Sequence, residues 1–529
     1  MKDLIFKYVL QASVKYDNIS VNSIVGKIIA EKPEYKGFIH DLIKETQEII
    51  NEVQKLSLTE KEKHLERFTF VKKETKKEYV LPNVNGKVVM RFAPNPSGAM
   101  SIGHSRQAIW NDFFVKKYKG ELILRFDDTD PKTKPPEKKF YKWFEEDLDY
   151  LGVKVHKIIR QSSRLDIYYG YAEELIHLEK AYVCTCKEFS KDCPCRNLPY
   201  EENIKRWKLM FSKYKEGEAV LRIKTDINHP NPAIRDFIAF RIVNSSKHPF
   251  SKKKVWPLLN FASAIDDYEL KVTHILRGID LESSVERQRY IYKYFDWKYP
   301  ETIYTGRLLF NGALSKSVIN GLIKEKKVDG WDDVRLGTIG ALRRRGIQPE
   351  AIRNFVLSLG INRSDVKVDI NNLYAFNKEI IDKEAKRYFV VFNPKKIKIK
   401  YFNKRKVKIL LHPDRKIGSR ELACNDEFYV QDELKKGVLY RFMHLFNFVD
   451  GNFVNDELDK NAKLIHWLPA SKDLANVKVI MDDNSVMKGF GEKDLRKVKV
   501  DEIIQAERNF FMILEKKTKN KLTFIYTHR

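Results

Sequence analysis

The sequence lacks any long hydrophobic run. Its N-terminal stretch, MKDLIFKYVLQASVKYDN, is apolar only in short pieces broken by lysine, so we expect neither a membrane span nor a signal peptide there. Cysteine is scarce too, because the 529 residues include only 5. Four of them lie in CTCKEFSKDCPC, between positions 184 and 195, which argues against a disulfide framework in a chain of this size. We therefore expect a cytoplasmic protein, not attached to membranes, whose cysteines bind metal.

Tandem repeats and low-complexity linkers are also absent, so we expect several closely docked domains. Acidic residues are outnumbered: 99 Lys and Arg against 72 Asp and Glu give a net charge of +27. This surplus favours an acidic partner such as nucleic acid, although a lysine-rich proteome would explain it as well.

The spacing of hydrophobic residues divides the chain into segments with different predicted secondary structure. Helical spacing comes first, then a strand, a glycine-bearing loop, a helix and a strand that indicate a parallel α/β sheet, and finally alternating strands. The predicted fold is multidomain α/β, with these segments: an N-terminal helical domain (1–86), the first half of a split Rossmann fold (87–180), an insertion with the cysteines (181–253), the second half of the Rossmann fold (254–325), a helical connector (326–392) and two antiparallel β-barrels (393–529).

The junction RFAPNPSGAMSIGHSR, at positions 91–106, joins a predicted strand to a predicted helix. Such turns present backbone amides to phosphates, and Gly98 and Gly103 let a nucleotide approach closely. His104, in the first helical turn, is placed to donate a hydrogen bond to a phosphate. Lys316, between two serines in GALSKS, suits a mobile loop that neutralises pyrophosphate. For His104, the alternative is a partly buried histidine in an ordinary strand-to-helix turn. For Lys316, the alternative is an ordinary lysine in a surface loop.

These motifs resemble the class I aminoacyl-tRNA synthetases, and among them the archaeal-type glutamyl-tRNA synthetases. SIGH is similar to the family's H-I-G-H signature and LSKS to its K-M-S-K-S loop. RFAPNPSG, LRFDDTDP, VTHILRG, ERQRYIYKYFDWKYPE, GWDDVRLGTIGALRRRGI, LYAFNKEIID and FIYTHR resemble further segments of the family in the same order. The resemblance covers nearly the whole chain. It implies that the insertion binds the tRNA acceptor stem and that the barrels read the anticodon.

The resemblance also implies roles for individual residues. Those that match the ATP site are Pro94, Gly98, Ser101, Gly103, His104, Ser315, Lys316 and Ser317, with catalysis assigned to His104, Lys316, Ser101 and Gly103. Those that match the glutamate pocket are Arg91, Ala93, Asn95, Asp127, Leu259, Ser263 and Arg277. Asp127 follows the second strand, where it can accept from a substrate ammonium, or else it caps a turn or a helix.

Arg277 separates glutamate from glutamine as the substrate. Enzymes that charge glutamine resemble this segment but have cysteine there, whereas an arginine can pair with a γ-carboxylate. A neutral carboxamide would leave the buried guanidinium without its counter-charge. We therefore favour glutamate. The alternative for Arg277 is a salt bridge to Asp280.

Several positions depart from the family pattern. Ser101 replaces the first histidine of the signature, Asp127 the usual glutamate, and Ala313 the first lysine of the mobile loop. Leu259 stands where a pocket tyrosine is expected, and RGIDL replaces R-G-K-D-H. Because His104, Lys316, Arg91 and Arg277 remain, we still expect an active enzyme.

The predicted reaction is that of a glutamate-tRNA ligase. Glutamate attacks ATP to give glutamyl-adenylate, with Mg²⁺ accompanying ATP, and the adenylate then acylates tRNA(Glu); the sequence leaves open whether tRNA(Gln) is also charged. The resemblance implies that activation requires bound tRNA. We expect a monomer. The alternatives are a glutaminyl-tRNA synthetase, a catalytically impaired tRNA-binding relative and a small nucleotidyltransferase with a similar H-x-G-H site.

The cysteine cluster is predicted to be a structural zinc site. Its two C-x-C pairs supply the thiolates of Cys184, Cys186, Cys193 and Cys195, and four thiolates can close a tetrahedral site. The alternative is a set of free thiols in a loop.

Overall fold

The computed structural model describes residues 1–14, 19–65, 68, 78–310, 315–519 and 521–529. The chain divides into two compact units, Met1–Tyr79 and Val80–Arg529. Within the described ranges, no helix is long and apolar enough to cross a membrane.

The first unit is helical, as its periodicity predicts. Its α-helices are α1 (Lys2–Ser13), α2 (Val21–Glu31), α3 (Ile39–Gln54) and α4 (Leu58–Leu65). Apolar residues three, four and seven apart fall on one face of each helix, and these faces meet in a core that includes Ile5, Val9, Leu42, Ile49 and Val53.

The second unit begins with parallel strands that alternate with helices. These elements are β1 (Val89–Phe92), α5 (Ile102–Lys117), β2 (Glu121–Phe126), α6 (Lys138–Tyr150), β3 (Lys157–Arg160) and α7 (Leu165–His177). β1 and β2 are mostly apolar because both faces of the sheet are covered, and each contains one buried arginine. β1 is buried at every position.

An antiparallel four-stranded sheet interrupts the parallel one. It contains β4 (Ala181–Cys184), β5 (Val220–Ile223), β6 (Ile238–Ile242) and β7 (Val255–Pro257), with α8 (Tyr200–Ser212) between its first two strands. Trp207 of α8 and Trp256 of β7 are fully buried in a core shared with α7.

The parallel sheet resumes after this insertion. It gains β8 (His274–Gly278) and β9 (Glu301–Thr305), with α9 (Leu259–Glu269) and α10 (Glu282–Tyr294) beside them. The strand order is β3-β2-β1-β8-β9, and all neighbours are parallel. The order reverses between β1 and β8, and ligands bind outside the carboxyl ends of strands at such a point. The split Rossmann prediction is confirmed.

Helices then connect this sheet to the rest of the unit. In chain order the elements are β10 (Leu308–Phe310), α11 (Lys316–Lys324), α12 (Ile339–Arg344), α13 (Pro349–Ser358), β11 (Val366–Val368) and α14 (Ile370–Ile381). Pro349 occupies the first position of α13, where its fixed φ suits a helix start and no N–H is needed.

The C-terminal part is made of strands. They are β12 (Lys386–Tyr388), β13 (Val390–Phe392), β14 (Lys395–Lys398), β15 (Arg405–Leu410), β16 (Ser419–Cys424), β17 (Glu427–Val430), β18 (Tyr440–Phe442), β19 (Asn447–Val449), β20 (Asn452–Asn455), β21 (Lys463–Ile465), β22 (Leu468–Pro469), β23 (Ala475–Ile480), β24 (Val486–Gly491), β25 (Ile503–Ala506), β26 (Phe510–Lys517) and β27 (Leu522–His528).

One of the C-terminal sheets is nearly a barrel. Its order is β12-β25-β26-β27-β23-β24-β13, so strands adjacent in the chain form its two edges. The other strands form smaller sheets around a second core that includes Phe428, Phe446 and Trp467. The predicted β-rich architecture is confirmed, although not every strand pair is antiparallel: β23 and β27, for example, pair in parallel. The alternation of apolar and polar residues along a strand shows which side chains share a face, but it does not show whether the neighbouring strand is parallel or antiparallel.

Candidate active site

A cleft of about 1210 Å³ opens beside the carboxyl ends of β1 and β8. This is the edge of the sheet at which the strand order reverses. Most of the predicted site residues line it, although they come from distant parts of the chain: Arg91, Ala93, Pro94, Asn95, His104, Asp127, Leu259, Ser263, Arg277, Ser315, Lys316 and Ser317.

Three predicted residues do not line the cleft. Gly98 is buried, and a Cβ there would lie 2.7 Å from Cη2 of Trp331, so the position requires glycine for packing. Ser101 is the N-cap residue of α5, and Gly103 lies in the first turn of that helix. Ala313 and Leu314 of the predicted mobile loop lie outside the described residues.

His104 is held at the start of α5 by the residue that caps this helix. The backbone N–H of Ser101 donates to His104 Nδ1 at 3.2 Å, and the Ser101 hydroxyl lies 2.8 Å from the same atom. The imidazole packs edge-on against Phe144 at 6.0 Å between ring centroids. Burial, followed by the charge of Lys316, lowers the pKa of His104 to about 3. His104 is therefore a neutral hydrogen-bond donor at physiological pH.

Lys316 lies close to His104 although 212 positions separate them in the sequence. It is the first residue of α11, and its Nζ donates to the Asn95 carbonyl at 2.9 Å. Nζ also lies 5.6 Å from the centroid of Phe144. Burial, followed by repulsion from Lys134, lowers the pKa of Lys316 to about 8. This end of the cleft is thus positively charged and rich in donors.

Two aspartates and two arginines form a buried network at the other end of the cleft. Arg125 donates from Nε to Asp127 at 2.8 Å and from Nη1 to Asp267 at 2.7 Å. Arg91 donates from Nε to the same oxygen of Asp267 at 3.1 Å. Burial raises the pKa of Asp127, and Arg125 opposes that shift. The network fixes Arg91 and Asp127 at the cleft wall.

Arg277, at the end of β8, is buried but forms no ion pair within the described part of the chain, neither with Asp280 nor with any other carboxylate. Its Nη1 donates to the neutral Oε1 of Gln288 at 3.2 Å. Its Nε is buried without a hydrogen-bond partner. Burial, followed by repulsion from Arg91, lowers the pKa of Arg277. Asp267 opposes this shift from a distance but makes no ion pair with Arg277, so the cleft contains one arginine without a directly bonded carboxylate.

The remaining predicted pocket residues differ in what they offer. Ser263 accepts from Arg125 Nη2 at 3.1 Å, so its hydroxyl belongs to the buried network. Leu259 starts α9, is 42% exposed and offers no donor. Apolar contact is all that Leu259 can provide.

Arg125, Asp267 and Gln288 were missed by the sequence analysis. An arginine in the apolar run LILRF and two adjacent aspartates after FASAI are unusual in buried elements, and that signal points to Arg125 and Asp267. Nothing in the sequence singles out Gln288, because a glutamine beside an arginine is common in a helix rich in charged residues.

The four cysteines of the insertion converge. Their sulfur atoms all lie within 4.8 Å of one another. Sγ–Sγ distances are 3.7 Å for Cys184–Cys193 and 3.8 Å for both Cys186–Cys193 and Cys186–Cys195. Tetrahedral zinc with Zn–S bonds of about 2.3 Å requires sulfurs about 3.8 Å apart, so the thiols fit this ion.

Comparisons with known proteins agree with this geometry. Residues 87–383 match the family described as tRNA synthetases class I (E and Q), catalytic domain, and residues 385–467 match its anti-codon binding domain. Glutamate-tRNA ligase from Methanocaldococcus jannaschii is 46% identical, and that from Pyrococcus furiosus 44%, each over 100% of both chains. The crystal structure of a glutamate tRNA ligase from Elizabethkingia meningosepticum is 22% identical, with a TM-score of 0.43, over 56% of this chain and 70% of that one.

The catalytic-domain match alone spans more than half of the sequence, and the similarity to the archaeal proteins runs from end to end. The parallel sheet, the cleft at its switch point and the C-terminal strands agree with these matches. The chain therefore belongs to the class I tRNA synthetases of the glutamate and glutamine (E and Q) type.

Proposed function

We propose that this chain is an ATP-dependent glutamate-tRNA ligase, which activates L-glutamate as glutamyl-adenylate and transfers it to tRNA(Glu). The archaeal relatives named glutamate-tRNA ligase match it over their full length. They favour glutamate over the glutaminyl alternative.

The observation that supports glutamate most strongly is the unpaired charge of Arg277. At the amino-acid end of the cleft, Arg91 and Arg125 form ion pairs with Asp127 and Asp267. Arg277 hydrogen-bonds only to neutral Gln288 and shares the field of Asp267 with those two arginines. At pH 7 free glutamate carries a net charge of −1 and free glutamine carries none. Bound glutamate would supply the missing counter-charge, and a buried arginine paired with a carboxylate is far more favourable than an unpaired one.

We propose that each group of glutamate meets a matching residue. The γ-carboxylate pairs with Arg277 and with the free guanidinium nitrogens of Arg91. The ammonium group donates to Asp127, whose position is fixed by Arg125. The α-carboxylate is then left facing the phosphates of ATP. Catalysis rests on this alignment, because the carboxylate itself is the nucleophile that attacks the α-phosphate.

At the phosphate end, His104 and Lys316 stabilise the charge that develops on the leaving pyrophosphate. His104 donates from Nε2, because Nδ1 accepts from Ser101. Mg²⁺ would be held mainly by the phosphates and water. The lysines that line this end of the cleft, Lys134, Lys316 and Lys324, suit the phosphates better than they suit a cation.

The second step and the partner are also part of the proposal. A ribose hydroxyl at the 3′ end of tRNA attacks the adenylate, while the anti-codon binding domain matched over residues 385–467 contacts the other end of the same tRNA. We further propose that the chain acts as a monomer and that the six segments given by the sequence are its domains. β7 then belongs to the insertion, and β12 and β13 belong to the C-terminal part, because each pairs with strands there. The insertion would then bind the acceptor end.

A structural zinc ion in the insertion completes the proposal. Cys184, Cys186, Cys193 and Cys195 would hold it as thiolates, and the ion would join the end of β4 to the following loop. Four protein ligands leave no open coordination position, so such an ion supports folding and not chemistry.

The experiment is amino-acid-dependent exchange of labelled pyrophosphate into ATP, with and without tRNA. We expect exchange with glutamate that requires tRNA. Exchange that is equally fast without any amino acid and without tRNA would favour a small nucleotidyltransferase. No exchange, together with retained tRNA binding, would favour a catalytically impaired relative.

A further inference from the structure

We propose that Gln288 determines specificity beside Arg277: its carbonyl oxygen orients the guanidinium, and its amide nitrogen donates a hydrogen bond to the side-chain carboxylate of the bound amino acid. This inference rests on the proposed function and adds a residue to it.

The orientation of the Gln288 amide follows from its neighbours. Arg277 Nη1 lies 3.2 Å from one terminal atom of Gln288, and the Tyr299 hydroxyl lies 2.6 Å from the same atom. A guanidinium has only N–H donors, so this atom is the carbonyl oxygen. Arg277 and Tyr299 together fix the plane of the amide, and the nitrogen points away from both donors.

That nitrogen is without a partner. In the described part of the chain it donates no hydrogen bond, although Gln288 is only 1% exposed and lines the cleft. An amide donor that lines the cleft and bonds to no residue around it is available to an acceptor bound there. An acceptor bound in the cleft next to Arg277 would supply it, and a carboxylate suits both groups at once.

The neutrality of Gln288 matters as much as its hydrogen bonds. A glutamate at this position would accept from Arg277 and Tyr299 in the same way, but its charge would neutralise Arg277 and repel a carboxylate ligand. Leu259, which also lines the cleft, offers no donor. Gln288 therefore keeps the charge of Arg277 available and adds a donor that Leu259 cannot provide.

The experiment compares two nearly isosteric variants, Gln288→Glu and Gln288→Met, with Gln54→Glu as a control. Gln54 is exposed at the end of α3 and receives the same change of charge. The measurements are KM and kcat for glutamate, for glutamine and for ATP in tRNA aminoacylation, with circular dichroism to monitor folding.

We expect Gln288→Glu to lower kcat/KM for glutamate by about 100-fold or more, mainly through KM, because it replaces a donor with a like charge. Gln288→Met should lower it by about 10-fold, since only hydrogen bonds are lost. In both variants KM for ATP should stay within about threefold of the wild-type value. Gln54→Glu should change none of these values.

Two results would overturn the inference while the wild type still charges glutamate. One is a KM for glutamate in the folded Gln288→Met variant that matches the wild type. The other is an equal rise of KM for glutamate and for ATP, as expected of a residue that only supports the fold. A wild type that charges no glutamate would instead overturn the proposed function.

Discussion

The backbone N–H of Ser101 donates a hydrogen bond to Nδ1 of His104 at 3.2 Å. An N–H cannot accept, so Nδ1 is the unprotonated nitrogen and Nε2 holds the proton. The residue that replaces the first histidine of the family signature therefore sets the tautomer of the second. Because the pKa of His104 is lowered to about 3, this tautomer persists over the whole physiological range.

The first prediction concerns this Nε2 donor. His104→Ala should lower the rate of adenylate formation by about 100- to 1000-fold, as expected for removal of one preorganised donor to a transition state, with a smaller effect on ATP affinity. Single-turnover activation measures this rate. His40→Ala, an exposed histidine on α3, is the matched control. Activation at a near-normal rate in His104→Ala would remove the catalytic role.

The second prediction concerns the charge of Lys316. Since its pKa is lowered to about 8, the ammonium is present below this pH and is lost as the pH rises through it. We expect kcat/KM for ATP, which reports the free enzyme, to fall above about pH 8. In Lys316→Arg the fall should move to higher pH, because arginine stays protonated. The same pH profile in both proteins would show that another group titrates.

The third prediction concerns Arg277. Arg277→Cys should lower kcat/KM for glutamate by an amount that corresponds to about 1.5–3 kcal/mol of transition-state stabilisation, since a charge-assisted pair is lost. The decrease of kcat/KM for glutamine should be far smaller. Aminoacylation with each amino acid at saturating ATP and tRNA measures the change. Arg363→Cys, which removes a surface arginine paired with Glu282, should leave both values unchanged. An unaltered preference for glutamate in Arg277→Cys would make Arg277 a structural residue.

The fourth prediction concerns zinc in the cysteine cluster. Treatment with a chelator, or the substitution Cys193→Ala, should release about one zinc ion per chain and loosen the insertion, because metal binding and folding are coupled. Elemental analysis and limited proteolysis measure these effects. Cys424→Ala, a buried cysteine of β16 outside the cluster, should retain the zinc. Metal-replete protein without zinc would show that the thiols are free.

Local sequence patterns predicted the elements of the fold well. The apolar runs of β1 and β2, the glycine-bearing junction before α5 and Pro349 at the start of α13 are each determined by neighbouring residues. The reversal of strand order then places the cleft beside β1 and β8. Most predicted site residues line that cleft because they end strands or begin helices at this edge.

Contacts between distant residues could not be predicted in the same way. Arg125 and Asp267 pair across 142 positions, and Arg277 meets Gln288 from another element; no local pattern encodes either contact. The resemblance matched Ser101 to the ATP site; its hydroxyl lies against His104, and the residue does not line the cleft. A side chain's direction depends on the rotamer that its packing allows.

Aminoacylation of tRNA by the wild-type chain, with glutamate and glutamine supplied in parallel, tests the central claim most directly. The reactions contain ATP, Mg²⁺ and tRNA(Glu), and labelled aminoacyl-tRNA is measured over time. Because only glutamate supplies the counter-charge that Arg277 lacks, the account predicts rapid charging with glutamate and little or none with glutamine. Charging with glutamine at an equal or greater rate would contradict it.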